Sequence, residues 1–118
     1  PIYQELRAFN VYAMNESEIL AEKIRAICER QKARDVYDLW FLLKKGVLLD
    51  VRLANKKLSR IGVKFEENKF LEKISSHKTN WEKDLAPLVS TKLPAFSTVL
   101  KEIMEILAAQ KQKAWRQI

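Results

Sequence analysis

Apolar residues recur three and four positions apart through most of the chain. Ile19, Leu20, Ile24, Ala26 and Ile27 fall on one arc of a helix at about 100° per residue. Asn15 stands ahead of them as an N-cap, with Glu18 three residues on completing a capping box. Glu16 and Glu18 suit the positive helix end. This first helix runs to about Arg30. Gln31, Lys32 and Ala33 form a short joint. A second helix follows from about Arg34 to Lys45, with Leu39 and Leu42 on its inner stripe, and Gly46 ends it as a left-handed C-cap. Asp50 caps a third helix that runs to about Ile61 and stops at Gly62. Val63 to Phe65 read as extended, and a fourth helix spans about Glu67 to Ser75. Ser76 to Asn80 read as polar linker. A short helix from Trp81 to Val89 holds Pro87 near its end, and Pro94 suits the first turn of a last helix to about Trp115. Between Glu5 and Ala13 the apolar positions alternate weakly, as in a short strand ending near Ala13.

Only two glycines and three prolines occur in 118 residues. All-β folds need more turn formers than that. The expected fold is therefore all-α: an irregular bundle of five or six helices in one domain, residues 1–118, with room for one short N-terminal strand. Helices joined by a short link pack antiparallel, which places the first two at the centre.

Several function classes drop out at this level. No apolar run approaches the roughly 20 residues of a membrane helix, since Leu39 to Leu43 is followed at once by Lys44 and Lys45. No secretory signal opens the chain. The lone Cys28 cannot form an internal disulfide, so a reducing, cytoplasmic setting is expected, and no His or second Cys stands beside it to activate it. His77 lies among Ser75, Ser76, Lys78 and Thr79, which reads as an exposed histidine and not a zinc ligand. Trp40 is expected in the core, and Trp81 as the anchor of the short helix.

The charged positions carry more information. Lys23 and Arg30 fall inside the apolar arc of the first helix, two turns apart. Asp35 and Asp38 lie on the inner stripe of the second helix, which is apolar or aromatic over most of its remaining surface. Charges on buried faces need partners, and Lys23, Arg30 and Arg34 are available to these carboxylates. Two readings stand. The cluster is either an ion-pair network that fixes helix packing, or a polar cleft in which Lys23 meets a nucleotide phosphate and a carboxylate orients a ribose, base or metal. An Asp-x-x-Asp pair alone does not define a metal site. On the third helix Arg52, Lys56 and Arg60 repeat every four residues, with Lys57 and Lys64 nearby. That stripe is either a solvated face or a nucleic-acid phosphate contact. The net charge of +7 suits a polyanionic partner as well as simple solubility.

Glu18 to Ala26, then Arg30, then Lys32-Ala33-Arg34-Asp35-Val36-Tyr37-Asp38-Leu39 resemble the signature segment of the AbiEii/AbiGii toxin family. The matching elements are a lysine, an arginine seven residues later, and an Arg-Asp-x-Tyr-Asp-Leu helix start. Asn80-Trp81-Glu82-Lys83-Asp84-Leu85 and Leu93-Pro94-Ala95-Phe96 resemble that family's C-terminal stretch. The resemblance implies a prokaryotic toxin of toxin–antitoxin or phage-defence systems, with a nucleotidyltransferase domain followed by a helical one. Such a protein moves nucleotides from an NTP with Mg2+, with tRNA as an acceptor in related toxins and an antitoxin as partner. Lys23 and Asp35 or Asp38 match the family's second half-site. The resemblance thus marks Lys23, Asp35 and Asp38 as catalytic and Lys23, Arg30 and Arg34 as nucleotide-binding, with no metal ligand in this chain. The family's Gly-Ser motif with its acidic pair has no counterpart, because no Gly-Ser dipeptide occurs. Together with a first residue, Pro1, that is not Met, this makes the chain the helical C-terminal part of a larger protein, with no cofactor expected for it alone. The alternative is a non-catalytic basic helical module that binds RNA or an antitoxin, with the charge cluster as packing.

Overall fold

A computed structural model describes residues 15–87 and 92–116, with side chains described to residue 112. The regular elements there are all helical. They are α1 (Glu16–Glu29), α2 (Ala33–Lys45), α3 (Val51–Leu58), α4 (Glu67–Ser75), α5 (Trp81–Leu85) and α6 (Phe96–Arg116), with 3₁₀ turns at Ser59–Ile61 and Ser76–Asn80. The all-α expectation holds. The strand expected near Ala13 lies outside the described residues.

α1 and α2 form the centre. Glu16 at the start of α1 meets Lys45 at the end of α2, while Arg30 just past α1 meets Asp35 in the first turn of α2, so the two run antiparallel. α3 and α4 pack against α1, and α5 and α6 against α2. Leu20, Ile24 and Ile27 of α1 and Val36, Leu39 and Leu42 of α2 are fully buried. α6 presents Phe96, Val99, Ile103 and Leu107 to this core, at helical spacing. α2 is enclosed almost all round: from Ala33 to Leu43 only Arg34 is exposed.

The helix ends follow local chemistry. Asn15 accepts from the Glu18 N–H at 2.8 Å, so the Asn15 half of the capping box forms. Both glycines of the chain sit in left-handed conformation behind a helix. After α2, Gly46 N–H donates to Leu43 O and Val47 N–H to Leu42 O; after the Ser59–Ile61 turn, Gly62 and Val63 repeat the pattern on Ser59 and Leu58. These are paired Schellman closures. Asp50 caps α3 through bonds from Arg52 and Leu53 N–H.

Four expectations need correction. Ser76–Asn80 is a 3₁₀ turn and not a linker, because His77 within it is fully buried. The short helix ends at Leu85, ahead of Ala86 and Pro87. Pro94 precedes the first turn of α6, and the Ala95 carbonyl receives the Thr98 and Val99 N–H groups. Trp40 is only partly buried, with Lys44 Nζ 4.8 Å above its ring. Trp81 is the anchor that was expected. It is buried, stands edge-on to Phe96 at 5.3 Å and donates through Nε1 to the Pro94 carbonyl at 3.0 Å.

Candidate functional site

The charged residues of α1 and α2 converge. Lys23 Nζ lies 2.7 Å from Asp38 Oδ2 and 3.5 Å from Asp35 Oδ1. Arg30 grips Asp35 with both arms of its fork, Nε at 2.9 Å and Nη2 at 3.2 Å. Helical spacing explains the pairing. Asp35 and Asp38 lie three apart on the face that α2 turns to α1, and Lys23 is the α1 residue at that level. Arg30 reaches the cluster by another route. It caps α1 in extended conformation, φ −140° and ψ 164°, and comes from the joint instead of from the helical arc.

Burial is unequal. The Asp35 and Asp38 side chains are 2% and 5% exposed, Lys23 is 25% exposed and Arg30 55%. The carboxylates thus form the floor and the cations the rim. Burial pushes the Asp38 carboxyl above its usual value, against the pull of Lys23 and Arg34 and helped by Asp35. The Asp35 hydrogen bonds hold the Arg30 guanidinium still more firmly protonated. Arg34 is exposed and forms no ion pair among the described residues, although Asp38 feels its charge. The sequence grouped Arg34 with the pairing cations; the structure leaves it free at the rim.

The cluster does not provide a metal site. Both Asp35 oxygens are held by Arg30, and Asp38 is held by Lys23. Among the described residues no three carboxylate, histidine or cysteine side chains gather. These donors do not fit a divalent cation. Two clefts lie away from the cluster, one of about 360 Å³ lined by Leu49, Phe65 and Leu107 and one of about 500 Å³ over Tyr37, Trp40 and Phe41.

The basic stripe of α3 is partly retained. Arg52 and Lys56 are exposed and unpaired among the described residues. Lys57 is half-buried. Arg60 falls in the 3₁₀ turn, whose tighter winding swings it towards α1, 3.9 Å from Glu22. Burial raises the Glu22 carboxyl, but its bond from Arg25 and the charges of Lys57, Arg25 and Arg60 together bring it below its usual value. Cys28 is half-buried, and that burial pushes its thiol up, as suits an inert thiol.

Sequence reasoning missed one group. His77 places Nδ1 2.8 Å from the Lys73 carbonyl and Nε2 3.3 Å from the Arg30 carbonyl. Asn80 donates to the Gln31 carbonyl at 3.0 Å and to Asp84 Oδ2 at 2.8 Å. The one available signal was the Asn80–Leu85 stretch, which matched a motif without a role.

The profile of a family described as nucleotidyl transferase AbiEii toxin, type IV toxin–antitoxin system, matches residues 1–102. No curated protein and no solved structure matches the chain.

Proposed function

The chain belongs to the AbiEii nucleotidyltransferase toxin family, and from that premise we propose that it supplies the helical half of a nucleotide-transfer site. In this reading Lys23, Arg30 and Arg34 meet the phosphates of an NTP. Asp35 and Asp38 hold Lys23 and orient the nucleotide. The observation that carries it is the layered cluster: two buried carboxylates beneath a lysine that is one quarter exposed, with Arg34 uncommitted at the rim. An ammonium has three donors, so Lys23 can serve both aspartates and a phosphate oxygen. With Arg34 the rim carries one positive charge beyond the two carboxylates, which suits a polyanion.

Lys23 and Arg30 reach solvent above the buried carboxylates, which fits a half-site completed by the metal-binding part of a larger protein. That part carries the family's Gly-Ser motif, which these 118 residues lack. Mg2+ supplies charge neutralisation on the phosphates in such transfers, and no step is routed here through Asp35 or Asp38 as its ligands. The acceptor is an RNA, with tRNA first among candidates, laid along α3. The site of action is then the cytoplasm, and an antitoxin is the regulatory partner that a toxin–antitoxin family implies.

The competing reading is packing, and the 2.7 Å Lys23–Asp38 contact favours it. One experiment separates the two. Lys23→Met leaves Asp38 buried without its partner, which costs up to roughly 3 kcal/mol. Lys23→Met/Asp38→Leu removes both charges and restores the melting temperature. In the toxin that carries this chain, the double variant folds but transfers no labelled nucleotide to tRNA, while the isolated chain incorporates none under any condition. Recovery of transfer by the double variant would make the pair a scaffold.

A further inference from the structure

The joint between α1 and α2 is three residues long. The helices hold its two ends, through Arg30 N–H on Ala26 O and Asp35 N–H on Lys32 O. Arg30 is already extended, and Lys32 stands at the N-cap of α2 with no side-chain cap of its own. A distant segment holds the remaining backbone groups. His77 approaches the Arg30 carbonyl at 3.3 Å, Asn80 donates to the Gln31 carbonyl at 3.0 Å, and the Ala33 N–H points to Asp84 Oδ2 at 3.5 Å. A fourth contact, Gln31 Nε2 to Ser76 Oγ at 2.7 Å, closes the same seam.

The segment is itself anchored. One ring N–H of His77 serves one carbonyl, and Lys73 O at 2.8 Å is the nearer. His77 therefore packs against the Arg30 carbonyl and leaves the bonding of the joint to Asn80 and Asp84. Trp81 is buried with its Nε1 on Pro94 O. Asn80 orients Asp84 through a 2.8 Å bond. Both Asn80 bonds run through Nδ2, while its buried Oδ1 has no partner among the described residues. The amide orientation is therefore set by two acceptors, and an aspartate in its place would turn an oxygen on both of them. Asp84 acts as an external cap for α2, supplying the carboxylate that Lys32 cannot.

We propose that His77, Asn80 and Asp84 are positioning residues for the nucleotide-transfer site: they fix the joint so that Arg30 grips Asp35 in its two-armed geometry, and Asp35 keeps its place beneath Lys23. The proposal rests on the nucleotide-facing reading of that cluster. None of the three touches Lys23, Asp35 or Asp38 in any ion pair or hydrogen bond of the structure. They act through backbone, on a site whose working geometry tolerates little displacement.

The test uses hydrogen exchange of the Arg30 side-chain Nε–H in the isotopically labelled chain, alongside ATP titration with Mg2+ present. Asn80→Asp and Asp84→Asn each speed exchange at Arg30 Nε several-fold through easier local opening, while amides in the middle of α1 and α2, at Ile24 and Leu39, keep their protection. Ile74→Val is the control, lowering global stability without touching the joint and leaving Arg30 Nε as protected as its own core amides allow. Unchanged exchange at Arg30 in both clamp variants overturns the proposal, and so does a uniform rise across Arg30, Ile24 and Leu39. The ATP arm keeps the two readings apart. If Arg30→Met weakens ATP and the clamp variants weaken it further only when Arg30 is present, positioning is supported. If Arg30→Met weakens ATP and the clamp variants do not, positioning fails. If Arg30→Met changes nothing, the nucleotide reading fails and the clamp is judged on exchange at Arg30 alone.

Discussion

Asp38 and Glu22 show how one carboxylate environment can be pushed in opposite directions within a few residues. Asp38 is raised from 3.8 because burial outweighs Lys23 and Arg34; Glu22 is lowered from 4.5 because Arg25, Lys57 and Arg60 together outweigh its burial. The signs on stability are opposite. A depressed Glu22 contributes stability that is present above pH 4.5 and lost as pH falls through its folded value. A raised Asp38 contributes stability that is present below pH 3.8 and lost as pH rises through its folded value. Melting curves from pH 7 down to the acid limit should show this in two variants. The advantage of wild type over Glu22→Gln shrinks on acidification, whereas wild type gains on Asp38→Asn over the same range. Parallel curves for the two variants would contradict the assignment. The Lys23–Asp35–Asp38 grouping was legible in the sequence, because each residue stood at a helical position where an apolar one was due; Arg30 joins it from the extended joint and not from the arc that pointed to it. His77 was not. Its partners are the carbonyls of Lys73 and Arg30, and no residue type announces a carbonyl. Its polar neighbours said linker while its own ring was going inside.

At the scale of elements, most helix ends and the antiparallel pairing of α1 and α2 were legible, and contacts made over long separations were not. Gly46, Gly62, Asn15 and Asp50 each do what their chemistry dictates at a terminus. The start of α2 is different, since its cap comes from Asp84, 51 residues further along the chain. Local rules cannot find an acceptor at that separation. The loop between α2 and α3 has the same character. Gln110 of α6 receives Leu49 N–H and donates to Val47 O, at 2.9 and 3.0 Å. α3 is only eight residues long; it packs on α1 through Ala54 and Leu58, and Asp50 caps its start. Asp50→Ala is expected to cost about 1 kcal/mol and to raise amide exchange selectively in α3. A loss shared equally with α1 would show that α3 opens only with the whole bundle. Because α3 carries the exposed Arg52 and Lys56, loosening it weakens the proposed RNA face before it affects the Lys23 cluster.

For the whole molecule, charge and architecture point the same way. The net charge of +7 is not spread evenly over function. Lys23 and Arg30 pair with two buried aspartates while their outer faces stay exposed, Arg25 pairs with Glu22 and Glu29, and Arg60 leans on Glu22. The exposed cations of α3 that remain uncommitted among the described residues are Arg52 and Lys56, one helical turn apart. α3 packs on α1, which in turn packs on α2 and carries Lys23 of the cluster. If α3 binds phosphates, Arg52→Ala/Lys56→Ala should weaken tRNA binding without changing its sequence preference. The slope of log K against log salt should become shallower by about 2, one for each lost contact. Lys23→Met/Asp38→Leu should leave that slope unchanged, since its charges face the nucleotide and not the acceptor. Filter binding or anisotropy across a salt series measures both. Equal slopes for wild type and the α3 double variant would mean that Arg52 and Lys56 are a solvated face, and that the acceptor is held by other residues of the toxin.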